Sequence, residues 1–123
     1  MSNTPTVLIV DDDPGIRKML VEVLTLEGFP VELAENGREA LDILATSGPR
    51  TVLLDLMMPV LDGRAVVATL NATPGARARH RIILISAIQY LAEAQDLHAD
   101  AELAKPFTVS QLLDVISAPG APC

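Results

Sequence analysis

The chain has 123 residues, 50% of them hydrophobic, and a formal net charge of −7 from 9 Lys+Arg against 16 Asp+Glu. Area scaling for this mass gives about 6,400 Å² folded against about 19,000 Å² unfolded, so a single domain can bury a core without staples. The hydrophobic share excludes a disordered acidic tail, and the acidic balance with 2% aromatic residues excludes a basic nucleic-acid footprint and a base-stacking platform. The only cysteine, Cys123, rules out a disulfide framework within one chain and a Cys/His metal cluster. No apolar run approaches the ~18 residues of a membrane-spanning helix, and Met1–Thr6 has no charged-then-apolar leader, so the cytosol is the expected compartment, without membrane insertion.

In chain order, Val7–Val10 predicts a strand. Asp13 suits a helix N-cap and Pro14 the first helical position. Ile16, Met19, Leu20, Val23 and Leu24 then form one apolar stripe, and Gly28 suits the stop. Val31–Ala34 is a weaker strand, interrupted by Glu32. Asn36 with Glu39 reads as a capping box ahead of the stripe Ala40, Leu41, Ile43 and Leu44, which Ser47-Gly48-Pro49 ends. Val52–Leu54 is the third strand, and a helix from about Arg64 to Leu70 is closed by Thr73-Pro74-Gly75. Ala76–Arg81, a short basic stretch containing His80, reads as a solvated loop before the fourth strand, Ile82–Ile85. A weakly patterned helix around Gln89–Gln95 and a poor strand, Ala101–Ala104, follow. The last helix begins with Thr108 and Gln111 at capping-box spacing and carries Leu112, Leu113 and Ile116. The expected domain is 1–118, with a flexible tail at 119–123.

Three of the strands are continuous apolar runs, which fits strands covered on both faces. The β-α alternation, five times over, predicts an α/β fold: a five-stranded parallel sheet with five helices on both faces, doubly wound. In a parallel sheet all C-terminal strand ends share one edge, and ligands bind in the crevice there. In the order 2-1-3-4-5, the first and third strands flank that crevice. The first run ends in Asp11-Asp12-Asp13, the third in Asp55, the fourth in Ser86 and the fifth in Lys105. Clustered carboxylates take up protons or share a cation, and their hard oxygens suit Mg²⁺, or Mn²⁺ as second choice. A cation beside a carboxylate, a hydroxyl and an ammonium is a phosphoryl-binding set, in which the remaining carboxylate can be a nucleophile. Taken singly, each residue has a plainer reading: Asp13 and Asp62 are N-caps, Lys105-Pro106 a turn, Met57 and Met58 packing residues and His98 surface.

These residues resemble the response-regulator receiver domain of two-component signalling, a flavodoxin-like fold. The resemblance covers about residues 6–117 and rests on Leu8–Asp13, Leu53–Pro59 with Asp62-Gly63, Leu84–Ala87 and Lys105–Phe107. It implies that Asp55 is the phosphoacceptor and that Asp12 binds Mg²⁺ directly, with Asp11 acting through water and Met57 giving its backbone carbonyl. Ser86 and Lys105 would hold the phosphoryl group, and Ala87 beside them would leave the donor's path open. Lys105–Pro106 would be cis. The donor would be a phosphohistidine of a sensor histidine kinase or phosphotransfer domain, with small phosphodonors as substitutes. Such a protein is a switch with self-catalysed phosphorylation and dephosphorylation, not a metabolic enzyme. Its output face would be the fourth helix, fifth strand and fifth helix, turned to a downstream protein that the sequence does not name. Monomer or weak dimer is expected, without direct nucleic-acid binding, and output is expected through a partner or a portion outside this chain.

One residue departs from the family pattern. The switch position three residues before Lys105 is usually Tyr or Phe and here is Glu102, which is expected to point outward toward an Arg. That departure supports an alternative, a phosphorylation-independent interaction module with the same fold. Met57 and Ile88, at the positions that border water attack, cannot orient water by hydrogen bonding, so a long-lived phosphorylated form is expected. An aspartate-nucleophile phosphatase fits poorly, because Met57 stands where such enzymes often place a second Asp.

Overall fold

A computed structural model describes residues 4–117; residue 118 and the expected tail at 119–123 lie outside the described residues. Five strands, β1 (Val7–Val10), β2 (Val31–Ala34), β3 (Thr51–Asp55), β4 (Arg81–Ala87) and β5 (Ala101–Lys105), form one parallel sheet in the order β2-β1-β3-β4-β5. The helices are α1 (Pro14–Leu26), α2 (Gly37–Thr46), α3 (Gly63–Ala72), α4 (Ala76–Arg79), α5 (Ile88–Glu93) and α6 (Val109–Ser117), with a 3₁₀ turn at Gln95–Leu97. The expected fold class and strand order are therefore found, with six α-helices among the described residues instead of five. The extra one, α4, is a single turn after Gly75, whose φ of 79° suits a residue without Cβ. Four residues cannot display an amphipathic stripe, which is why this turn read as loop.

Alternation along the strands divides the core in two. Leu8, Val10, Val52, Leu54, Ile82 and Leu84 pack beneath α2, α3 and α5. Val7, Ile9, Leu53, Ile83 and Ile85 pack beneath α1 and α6. Because both sheet faces are covered, the interior positions of β1, β3 and β4 are apolar, hence the continuous runs Val7–Val10, Val52–Leu54 and Ile82–Ile85, with polar residues left to the strand ends. β2 and β5 are the sheet's edges and are only partly buried, hence their weaker patterns.

The expected caps are present. Asp13 Oδ1 accepts from Gly15 N at 2.8 Å, opening α1, and Phe29 N donates to Leu24 O at 3.0 Å around Gly28, closing it. Thr108 and Gln111 bond reciprocally, at 3.0 Å to the hydroxyl and 2.9 Å to the amide oxygen. Such a cap stabilises a helix by about 1 kcal/mol. Asn36 accepts from Glu39 N at 2.9 Å, but Glu39 reaches Glu35 N instead of the cap's own N–H.

His80 corrects the sequence reading. It is buried, not solvated: Nδ1 accepts from Arg50 N–H at 3.1 Å, which ties β3 to β4 below the sheet. Nε2 is enclosed without a hydrogen-bond partner. Arg77 closes the same corner, donating to His80 O at 3.1 Å and pairing with Asp100 at 3.1 Å. Burial first, then the charges of Arg79, Arg50 and Arg77, hold the imidazole pKa below the ordinary 6.5. An unfolded chain therefore takes up this proton before the folded one does. Stability from this source is complete above pH ~6.5 and declines as pH falls through that value. His80→Asn keeps an acceptor for Arg50 N–H but cannot titrate, so thermal melts between about pH 7.5 and 5.5 should show a smaller drop in Tm than in the parent chain.

Gly63 is tightly enclosed by backbone. A Cβ there would lie 2.6 Å from Asp55 O and 2.9 Å from Leu56 Cα, both backbone atoms that cannot swing aside. Gly63→Ala is expected to lower stability by about 1–3 kcal/mol in urea unfolding, because α3 must retreat from the end of β3.

Candidate functional site

The C-terminal strand ends bring the acidic residues together. Asp11 follows β1 and is 2% exposed; its N–H continues the ladder to Ala34 O at 3.2 Å, and its Oδ1 accepts from Asp13 N at 2.9 Å. Asp55 ends β3, buried, with Oδ1 accepting from Met57 N at 3.1 Å. Carboxylate oxygens of Asp11, Asp12 and Asp55 lie within 4.8 Å of one another, Asp12 being the exposed one. Lys105 Nζ reaches in from the end of β5, 3.6 Å from Asp11 Oδ2 and 3.5 Å from Asp55 Oδ2. The Lys105–Pro106 bond is cis, as expected.

The electrostatics leave a deficit of positive charge. Burial raises the Asp55 pKa above the ordinary carboxylate range, and the charge of Asp11 raises it further; the Met57 N–H and Lys105 oppose both. With its folded pKa above its unfolded value, ionised Asp55 costs stability, and that cost grows as pH rises through the carboxylate range. One ammonium cannot balance three carboxylates. A divalent cation with hard-oxygen preference fits this donor set, and Mg²⁺ tolerates the few protein oxygens on offer by keeping water ligands.

Ser86 is buried one residue beyond the Asp55–Ile85 register pair, and Ala87 is paired with Lys105. Met57 and Ile88 are exposed, by 57% and 70%. Glu102 is not brought into the site. It pairs with Leu84, below the strand ends, and is exposed as expected, but its partner is Gln95, whose Nε2 donates to Oε2 at 2.6 Å, and not an Arg. The described arginines with carboxylate partners engage Glu32, Glu35, Asp96 and Asp100 instead. Asp62 caps α3 through Ala65 N at 2.9 Å.

Two supporting residues escaped the sequence reading. Arg17 donates to Asp11 O at 2.7 Å and lies 3.6 Å from Glu35, fixing the backbone beside the acids. Its signal was its place one turn into a helix that starts at the acidic run. Val60, in the loop after Asp55, has a φ of 72° and is 78% exposed, within a tight turn closed by Leu61 N to Pro59 O at 2.8 Å. Nothing in the sequence marks it, since left-handed positions are ordinarily flagged by Gly or Asn.

The model of the response regulator receiver domain matches residues 7–117. The chain is 41% identical over 110 residues to the response regulator MprA of Mycolicibacterium vanbaalenii, covering 87% of this chain and 46% of that protein. It thus spans about half the length of the curated relatives it matches. Among solved structures, the receiver domain of a sensor histidine kinase from Pseudomonas aeruginosa, with magnesium coordinated in its active-site cleft, aligns with a TM-score of 0.83 at 26% identity, covering 92% of this chain and 94% of that one. The response regulator TrrA of Thermotoga maritima, in complex with Mg²⁺ and beryllofluoride, aligns with a TM-score of 0.81 at 31% identity, covering 92% and 96%. Strand order, acidic rim and matched length agree, and the chain belongs to the response-regulator receiver domain family of two-component systems.

Proposed function

We propose that the chain is a phospho-accepting switch in which Asp55 takes a phosphoryl group from a phosphohistidine of a sensor histidine kinase or phosphotransfer domain, with Mg²⁺, and thereby changes its binding to a downstream protein. The observation that carries this reading is the approach of the Asp11, Asp12 and Asp55 oxygens within 4.8 Å, with Lys105 Nζ 3.5 Å from Asp55. A carboxylate oxygen of Asp55 attacks phosphorus; the new O–P bond replaces the N–P bond, and the electron pair leaves with the histidine nitrogen. Lys105 balances charge on the phosphoryl oxygens, and Ser86 donates a hydrogen bond to one of them. Asp11, Asp12, Asp55 and the Met57 carbonyl are the residues that would hold the cation, which supplies charge neutralisation for the phosphoryl group. Met57 and Ile88 offer no hydrogen bond to an attacking water and slow hydrolysis. We place the protein in the cytoplasm as a monomer or weak dimer. Among the described residues no helix is long and apolar enough to cross a membrane.

The second reading, a module that binds without phosphorylation, draws on Glu102. Its hydrogen bond to Gln95 at 2.6 Å holds it outside the site, so no aromatic ring there follows a movement of Ser86.

Beryllofluoride with Mg²⁺ is expected to shift NMR resonances around Asp55, Ser86 and Lys105; no shift would leave only the second reading. Asp55→Asn should abolish labelling by a kinase or a small phosphodonor. Because an ionised, buried Asp55 costs stability, Asp55→Asn should raise Tm in metal-free buffer, whereas added Mg²⁺ should raise the Tm of the parent chain more than that of the variant. Radiolabel on the parent chain should decay over minutes or longer, and Met57→Asn, which can orient water, should shorten that lifetime several-fold.

A further inference from the structure

Arg17 is a second cation beside the acidic rim, and it is bonded differently from Lys105. Lys105 faces the carboxylates of Asp11 and Asp55. Arg17 instead donates from Nη1 to the backbone oxygen of Asp11 at 2.7 Å, while Nη2 lies 3.6 Å from Glu35 Oε1. Its side chain is only 15% exposed. The charges that shift Asp55 are those of Asp11 and Lys105, not that of Arg17. The guanidinium therefore meets the rim through the main chain.

The bond it makes is to the peptide between Asp11 and Asp12. Ala34 O takes the N–H of Asp11 at 3.2 Å, and Arg17 takes its carbonyl. A peptide unit is planar, so fixing Asp11 O also fixes Asp12 N and the direction in which the chain enters Asp12. The exposed Asp12 carboxylate accepts no hydrogen bond from a described residue. The direction of its Cα–Cβ bond thus decides how its oxygens meet those of Asp11 and Asp55. Arg17 is aligned in turn from two sides. Its N–H donates to Asp13 O at 3.0 Å in the first turn of α1. Glu35, whose own N–H is held by Glu39 Oε1 at 2.9 Å, meets the other edge of the guanidinium.

We propose that Arg17 is a positioning residue for the divalent cation: it holds the Asp11–Asp12 peptide so that the Asp12 carboxylate faces those of Asp11 and Asp55, and it does so against the repulsion between its own charge and the cation. This proposal rests on the reading of the rim as a Mg²⁺ site. Two effects compete, and they differ in sign. A positive side chain near a cation site lowers affinity by Coulomb repulsion, so its removal strengthens binding. Loss of a group that orients a metal ligand weakens binding, by about 10–100-fold. Orientation outweighs repulsion here, because the guanidinium is directed at a carbonyl and at Glu35, whose charge offsets its own.

Calorimetric titration of the full chain with magnesium chloride at constant ionic strength tests this, with melting in metal-free buffer as a second readout. Arg17→Met keeps the apolar stem and removes charge and donors. It is expected to weaken Mg²⁺ binding about tenfold or more, and to shift the Asp12 amide resonance before any metal is added. Arg17→Lys keeps the charge and one point donor, and should lose affinity by an intermediate factor. Arg79→Met removes the same charge on α4, at the other end of the sheet, and should leave the affinity unchanged. Binding by Arg17→Met as tight as the parent's, or tighter, would overturn the proposal, including the case in which Tm falls while affinity holds. So would equal losses from Arg17→Met and Arg79→Met. If Arg17→Met does not fold, Arg17→Lys decides: a loss at constant charge supports positioning, and an affinity equal to the parent's overturns it. No Mg²⁺ uptake by the parent chain would sink the cation reading together with this proposal, whereas uptake by the parent with an unaffected variant sinks this proposal alone.

Discussion

Crowded negative charge at the C-terminal rim is the constraint around which the molecule is arranged. Asp11 and Asp55 are buried side by side, at 2% and 6% exposure, with Asp12 next to them and one ammonium in reach. Removing carboxylates from water is costly unless donors or cations face them. The backbone answers part of that cost: Asp13 N–H faces Asp11, and Met57 N–H faces Asp55. Arg17 anchors the carbonyl of Asp11, and Gly63 lets α3 close against the peptide of Asp55. The remaining deficit of positive charge is what the proposed cation and phosphoryl group would meet.

The two sheet ends differ in character. At the far end, Arg50, Arg77 and Asp100 gather around buried His80 in internal bonds that tie β3, β4 and the loop before β5 together. The rim acids lack that closure. The bonded corner anchors the strands whose other ends hold the candidate site, which is the usual division between scaffold and site in open α/β sheets.

Legibility in the sequence followed burial. β1, β3 and β4 announced themselves because strands covered on both faces have no polar alternatives, and the edge strands β2 and β5 were faint because one side of each is free. Caps at Asp13, Asn36 and Thr108 were readable because their chemistry is local. The rim residues were readable because each ends a strand, and parallel topology makes strand ends neighbours. What escaped was decided across the chain. His80 looked solvated among arginines, yet its partner, the N–H of Arg50, is thirty residues away in sequence. Gln95 as the partner of Glu102 follows from the 3₁₀ turn that presents it, for which no pattern existed.

Val60 shows how the loop after β3 is held. A β-branched residue in the left-handed region, with its side chain largely in water, gains little locally and carries about 1–3 kcal/mol of backbone strain. Its neighbours impose that shape: Leu61 O accepts from Gly37 N at 3.0 Å, and Gly63 N donates to Leu56 O at 3.1 Å. The contacts of Gly37 with Leu61 and of Gly63 with Leu56 outweigh that local cost, so the left-handed turn at Val60 lasts only as long as they hold.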